Sequence, residues 1–205
     1  GLGAAPDFIV VRARTRDSNN WIAWHSATST GTQYLNSNNA NDTSNGPYFM
    51  GDDSSITQPT STVFTVGANI QVNHDGESNV AWAWRSIQGY SKFGKFIGNG
   101  STDGPFIYTG FKPAFFMIKE DEAQGGWTMW DNKMNPINNG VGITLSANSS
   151  NAEDTSTDSA IDWCSNGVKM RTPSGGNNQD GRIIIYMAFA QNPFVTSGGL
   201  PSTAG

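Results

Sequence analysis

The chain has 205 residues, enough for one large domain or two small ones with a buried core. Charged residues make up only 14% and aromatics 11%, too little charge for a disordered polyelectrolyte and enough ring surface for an interior. The net charge of −5, with lysines and arginines scattered, excludes the clustered basic face that nucleic acid requires, and no apolar run approaches the ~18 residues of a membrane-inserted span.

Taken in chain order, the apolar segments are short, β-branched or aromatic, and bounded by Gly, Asn, Asp or Pro, which predicts strands. Phe8 to Arg14 is the first, with Arg12, Arg14 and Arg16 alternating onto one solvated face. Trp21 to His25 is its expected neighbour across the polar turn 16–20. The tract Asn36 to Asn45 reads as an exposed loop. Val63 to Val66 and Ile70 to Asn73 are two further expected strands, and His74-Asp75-Gly76 is a hairpin turn into Asn79 to Arg85. Within Val80-Ala81-Trp82-Ala83-Trp84, a period of two puts the indoles on one face and the alanines on the other, a pattern that predicts burial on both faces. Downstream the same logic predicts Phe115 to Glu120, Trp127 to Asp131, Gly142 to Leu145, Val168 to Arg171 and Arg182 to Ala190, with a polar loop over Ser146 to Ser159. Tyr186-Met187-Ala188-Phe189-Ala190 repeats the small-and-large alternation. No stretch carries a helical stripe. The fold class is therefore all-β, a β-sandwich or jelly roll of the concanavalin kind. Residues 191–205 read as an exit linker or docking tail, and Gly1-Leu2-Gly3 reads as a cut into a longer polypeptide.

The chain also repeats itself. Ala5-Pro6-Asp7-Phe8-Ile9-Val10-Val11-Arg12 is echoed by Lys112-Pro113-Ala114-Phe115-Phe116-Met117-Ile118-Lys119, and Trp21-x-x-Trp24 by Trp127-x-x-Trp130. Gly76 to Trp84 is echoed by Gly181 to Phe189, and the offset stays near about 106 residues throughout. This spacing predicts one body over 1–190 made of two related halves of about 105 residues, 1–90 and 108–190.

The Pro-Asp-Phe-Ile opening, the strand Val80 to Arg85, and the run Gly110 to Lys119 resemble a family of phage virion domains. So do Trp130-Asp131-Asn132-Lys133, Asp162 to Lys169 and Tyr186 to Phe194. These domains occur in tail-fibre and other structural proteins of marine phages and are lectin-like. The resemblance spans the chain and is strongest from Gly110 onward; the family's usual acidic residue after the second aromatic is His25 in the first half. It implies a place on the surface of a phage particle, other virion proteins as partners, and, by analogy with fibres, a homo-oligomer such as a trimer.

Residues three apart on a strand face opposite ways, so one Trp of each pair should be core and the other exposed. Flat indoles stack on the apolar faces of sugars, which makes Trp24 and Trp130, with Asp131 and Asn132 beside the latter, the candidate ligand-binding residues. Asp52-Asp53, Asp103 and the series Glu153-Asp154, Asp158, Asp162 lack calcium-loop spacing, so neither metal nor other cofactor is expected. His74 sits in a turn, and Glu77, Glu120, Glu122 and Glu153 show no spacing that pairs them as glycosidase carboxylates. The lone Cys164 reads as a small apolar filler. The expected function is non-catalytic: an appendage module contacting host surface glycan. The alternatives are a capsid decoration or head-fibre piece docking on virion proteins and, remotely, a glycan depolymerase.

Overall fold

The computed structural model describes residues 2–16, 19–28, 31–43, 49–52 and 55–193, with backbone only for 50–52 and 55–56. Turn positions 17–18, the end of the first polar tract, Asp53 and the tail from 194 lie outside the described residues. Among the described residues the chain is all-β, with one three-residue 3-10 turn at Thr157–Ser159. A four-stranded antiparallel sheet orders β3 (Gln33–Tyr34), β2 (Ile22–His25), β1 (Phe8–Ala13) and β6 (Asn79–Trp84). A five-stranded sheet orders β11 (Thr144–Ser146), β10 (Thr128–Asp131), β9 (Pro113–Glu120), β14 (Ile183–Ala190) and β7 (Ser91–Ile97). A third sheet orders β12 (Ile161–Cys164), β13 (Gly167–Met170) and β8 (Phe106–Tyr108), and β4 (Met50–Asp52) pairs with β5 (Ser55–Ile56) alone.

Strand alternation sorts the side chains into layers. Phe8, Val10 and Ala23 of the first sheet meet Met117, Trp127, Ile185 and Met187 of the second. The other face of the second sheet, with Phe116, Ile118, Trp130, Ile184 and Tyr186, packs on Ile161, Trp163, Val168 and Met170 of the third. The outer face of the first sheet, with Ile9, Val11, Ile22 and Trp24, is covered by Phe49, Val72, Phe64 and Val66. The sandwich is thus a stack of sheets in which the central strands of both large sheets are buried on both faces.

The two large sheets share one strand order: β3-β2-β1-β6 answers β11-β10-β9-β14. Their registers agree as well. Ile9 pairs with Trp24 and Ala83, as Phe116 pairs with Trp130 and Ala188. Thr32 bridges Asp42 as Thr144 bridges Asp154. The Trp21 amide donates to Asn36 Oδ1 at 2.9 Å, and the Trp127 amide to Asn148 Oδ1 at 2.8 Å. In each half the chain leaves the third strand, crosses the outside of its own sheet and returns as the last strand.

Three sequence expectations need correction. Val63 to Val66 and Ile70 to Asn73 are not strands. Here the backbone bonds to itself: the Val72 and Asn73 amides donate to Asn69 O, and the Gln71 amide to Asn69 Oδ1. Gly76 does turn, at φ 75°, but joins no hairpin. The alternating run in β6 is not buried on both faces either, because β6 is an edge strand with Ala81 and Trp82 exposed. Its counterpart β14 is central and buried on both sides, since β7 covers the edge that β6 leaves bare.

Candidate functional site

The expected sugar-binding indoles are interior. Trp24 and Trp130 are each 2% exposed, so neither can offer a ring face to a ligand. Trp130 packs on Phe116 at 5.8 Å and donates through Nε1 to Ser159 O at 2.7 Å. Trp127 is buried on the opposite face and donates through Nε1 to Tyr34 O at 2.8 Å, so both members of the second pair are core. Opposite faces of one strand are not inside and outside when both faces are covered.

Asp131 is half-buried and its Oδ1 accepts the Lys133 amide at 2.7 Å, a local turn bond. Asn132 is buried, with Nδ2 donating to Gln191 Oε1 at 3.1 Å and Pro113 O at 3.3 Å, and its Oδ1 has no partner. It lines a small pocket of about 250 Å³ with Lys112, Lys133, Asn138 and Trp163. The four expected residues therefore do not form one site.

The exposed tryptophans are others. Trp21 precedes β2 and Trp82 lies on β6; each is 37% exposed, and among the seven tryptophans these are the most open. Their rings stack across β1 with centroids 5.3 Å apart and planes 18° from parallel. The Arg12 guanidinium of β1 stands 6.0 Å from the Trp21 ring. Beside them Asn36 Nδ2 donates to Asn20 Oδ1 at 3.0 Å, and Asn20 Nδ2 to Gln71 Oε1 at 3.0 Å. Two flat rings, one cation and a chain of carboxamides are thus fixed on one surface. In the first Trp-x-x-Trp pair one indole is exposed and one is core, but the exposed one is Trp21 and not the candidate Trp24; Trp82 was legible only as part of a strand expected to be buried.

A second concave feature is a cleft of about 550 Å³ in the second half. Its floor is lined by polar side chains of adjacent strands: Glu120 on β9, Thr128 on β10, Thr144 and Ser146 on β11, with Thr128 and Ser146 paired. Asn177 reaches in from the loop before β14, accepting from Thr128 Oγ1 at 3.0 Å and donating to Asp158 O at 3.1 Å. Asp154 and Asp158, expected as solvated loop acids, line the same cleft. Asp103 is held by Lys169 at 2.9 Å, which lowers its carboxyl pKa, and Asp162 by Arg171 at 2.5 Å. Among the described residues no three His, Cys, Asp or Glu side chains are placed to hold a metal.

Two buried titratable groups stand at the seam between the halves. His25 Nε2 donates to Tyr186 O at 3.0 Å, while Nδ1 accepts the Ala27 amide at 3.0 Å. The amide can only donate, so the proton sits on Nε2. Burial holds this imidazole at a pKa of about 4, against the partial support of the Tyr186 carbonyl and Asp7. Lys119 is wholly buried, its ammonium donating to Glu120 O and Ala123 O; burial brings it down to about 8 against the attraction of Glu120 and Asp121.

A family model covers most of this chain: the protein belongs to the family described as Domain of unknown function (DUF7483), matched over residues 1–193. No curated protein and no solved structure matches it significantly.

Proposed function

We propose that the chain is a non-catalytic surface module of a phage particle, built from two copies of one ancestral unit, that contacts host glycan through the Trp21–Trp82 face. The virion setting follows the resemblance of the sequence. The duplication is supported by the shared strand order and the matching registers of the two large sheets.

One observation carries the glycan contact: two stacked indoles, each 37% exposed, held beside Arg12 and the carboxamides of Asn20 and Asn36. An indole left half in water gives up burial that the fold could use, and its cost is recovered only against a partner. The C–H face of a pyranose matches the ring, and its hydroxyls match the amides and guanidinium around it. The counterpart of Trp21 in the second half, Trp127, is sealed between the sheets, so exposure is not dictated by the repeat itself.

The test is a glycan array of bacterial surface polysaccharides probed with the whole chain. Binding is expected, and Trp21→Ala and Trp82→Ala should each weaken it at least about ten-fold with the melting temperature little changed. No binding, or binding untouched by both substitutions, would overturn the platform; release of new reducing ends from a bound glycan would overturn the non-catalytic part.

A second reading, a decoration piece docking on virion proteins, is favoured by one other feature. Ile97 on β7 and Phe106 and Tyr108 on β8 are exposed apolar side chains on two edge strands. Locating the chain in an intact particle by electron microscopy separates the readings.

A further inference from the structure

The repeat supplies an internal control for the 550 Å³ cleft. Register matches Glu120, Thr128 and Ser146 of the second half to Ala13, Ile22 and Tyr34 of the first. In the first half all three are buried, and Ile22 and Tyr34 pack under the covering segment. In the second half the same places hold a carboxylate and two hydroxyls, and the space is open. A cleft of this size lies in the range of small-ligand sites.

The carboxylate is the telling group. Glu120 is 2% exposed where the sister half uses alanine, and its Oε1 has no hydrogen bond among the described residues. Arg182 Nε stands 3.5 Å from it, close enough to offset charge but not to donate a hydrogen bond by the donor geometry. A carboxylate removed from water this far is costly unless its oxygens are met by donors. Asp154 and Asp158 add negative charge to the walls, and among the described residues no lysine or arginine lines them. Like charge would turn an anionic ligand away. Glycines admit a guest close to the backbone: a Cβ at Gly125 would stand 3.7 Å from both Glu120 Oε2 and Gly176 Cα.

We propose that this cleft binds a hydroxyl-rich ligand without negative charge, a neutral or amine-bearing saccharide unit, with the Glu120 carboxylate accepting its hydroxyl or ammonium donors. The site is distinct from the Trp21–Trp82 face and stands whether or not that face binds glycan.

The experiment titrates the whole chain by calorimetry with neutral, amine-bearing and uronic-acid oligosaccharides. Neutral or amine-bearing probes should bind and uronic acids should bind at least ten-fold more weakly. Gly175→Trp blocks the cleft from a position where only the Gln179 carboxamide lies within 4 Å of an added Cβ and φ is not left-handed. That variant, with unchanged melting, should lose at least ten-fold in affinity, and Glu120→Gln should do the same. Trp21→Ala with Trp82→Ala should leave this affinity unchanged, so failure of the platform and failure of the cleft are read separately. Uronic acids binding as well as neutral sugars, no binding by any probe, or affinity indifferent to Gly175→Trp would overturn the proposal.

Discussion

At the residue scale, the two halves solve one local problem with different chemistry. After the second aromatic of each half the chain turns back, and a side chain must take the amide two residues on. Asp131 Oδ1 does this for Lys133 at 2.7 Å, and His25 Nδ1 does it for Ala27 at 3.0 Å. The substitution of His for an acid, visible in the sequence, is therefore not a loss of function at that position but an exchange of one acceptor for another. Its consequence is a pH dependence. The folded pKa of about 4 lies below the ordinary 6.5, so between those values the unfolded chain takes up a proton that the fold refuses. Stability then falls as pH drops from about 6.5 and levels near 4, by on the order of 3 kcal/mol in all. His25→Asn keeps a side-chain acceptor for Ala27 and forfeits the Tyr186 contact. It should cost about 1–2 kcal/mol at pH 7 and remove most of the acid-side loss. Urea denaturation of both proteins at pH 7, 6, 5 and 4 checks this; parallel curves would refute it.

At the element scale, β6 and β14 show what a strand's own sequence can and cannot tell. Val80-Ala81-Trp82-Ala83-Trp84 and Tyr186-Met187-Ala188-Phe189-Ala190 carry the same small-and-large alternation, yet one lies at an edge and the other at a centre. The difference is made by β7, which follows β6 in the chain but pairs with β14. Ala81→Asp on β6 should shift stability within about 0.5 kcal/mol, whereas Ala188→Asp on β14 should cost more than about 4 kcal/mol. Denaturation midpoints of the two variants check the contrast, and similar losses would mean that β6 is covered. The all-β class and most of the predicted strands were legible because they follow from alternation and spacing within a segment. Depth was not. Whether Trp24 and Trp130 face water depends on what packs over the far face of their sheets, and that is contributed by Phe49 and Val72 in one half and by β12 and β13 in the other. The cleft was illegible for the same reason: Glu120, Thr128, Ser146 and Asp158 are ordinary strand and loop residues until the register pairs Thr128 with Ser146 and Ile118, two residues from Glu120 on β9, and a distant loop brings Asn177 across.

At the scale of the whole molecule, the halves are interlocked beyond their packed faces. The Trp127 indole of the second half donates to Tyr34 O of the first, Gln33 donates to Asp121 Oδ1 at 2.6 Å, and the Gly125 amide to Asn38 O at 2.9 Å. His25 of the first half reaches Tyr186 O of the second. Phe8 meets Trp127 and Phe93 at 6.1 and 6.2 Å, so the shared layer is also an aromatic cluster. Most telling is β7, which lies between the repeats in sequence and completes the second sheet rather than the first. Splitting the chain into 1–90 and 108–193 removes β7, leaves β14 with an open edge and puts Phe8, Val10, Met117 and Trp127 in water. Removing that apolar surface from its partner forfeits about 1.5–3 kcal/mol for each large side chain, against a total stability of only ~5–15 kcal/mol for a domain. The chain should therefore unfold in one transition, with calorimetric and van't Hoff enthalpies equal, and fragments 1–90 and 108–193 should each lack cooperative unfolding. Scanning calorimetry of the intact chain and of both fragments decides it. Two separable transitions, or a cooperative fragment, would mean that the repeats are independent bodies that merely touch.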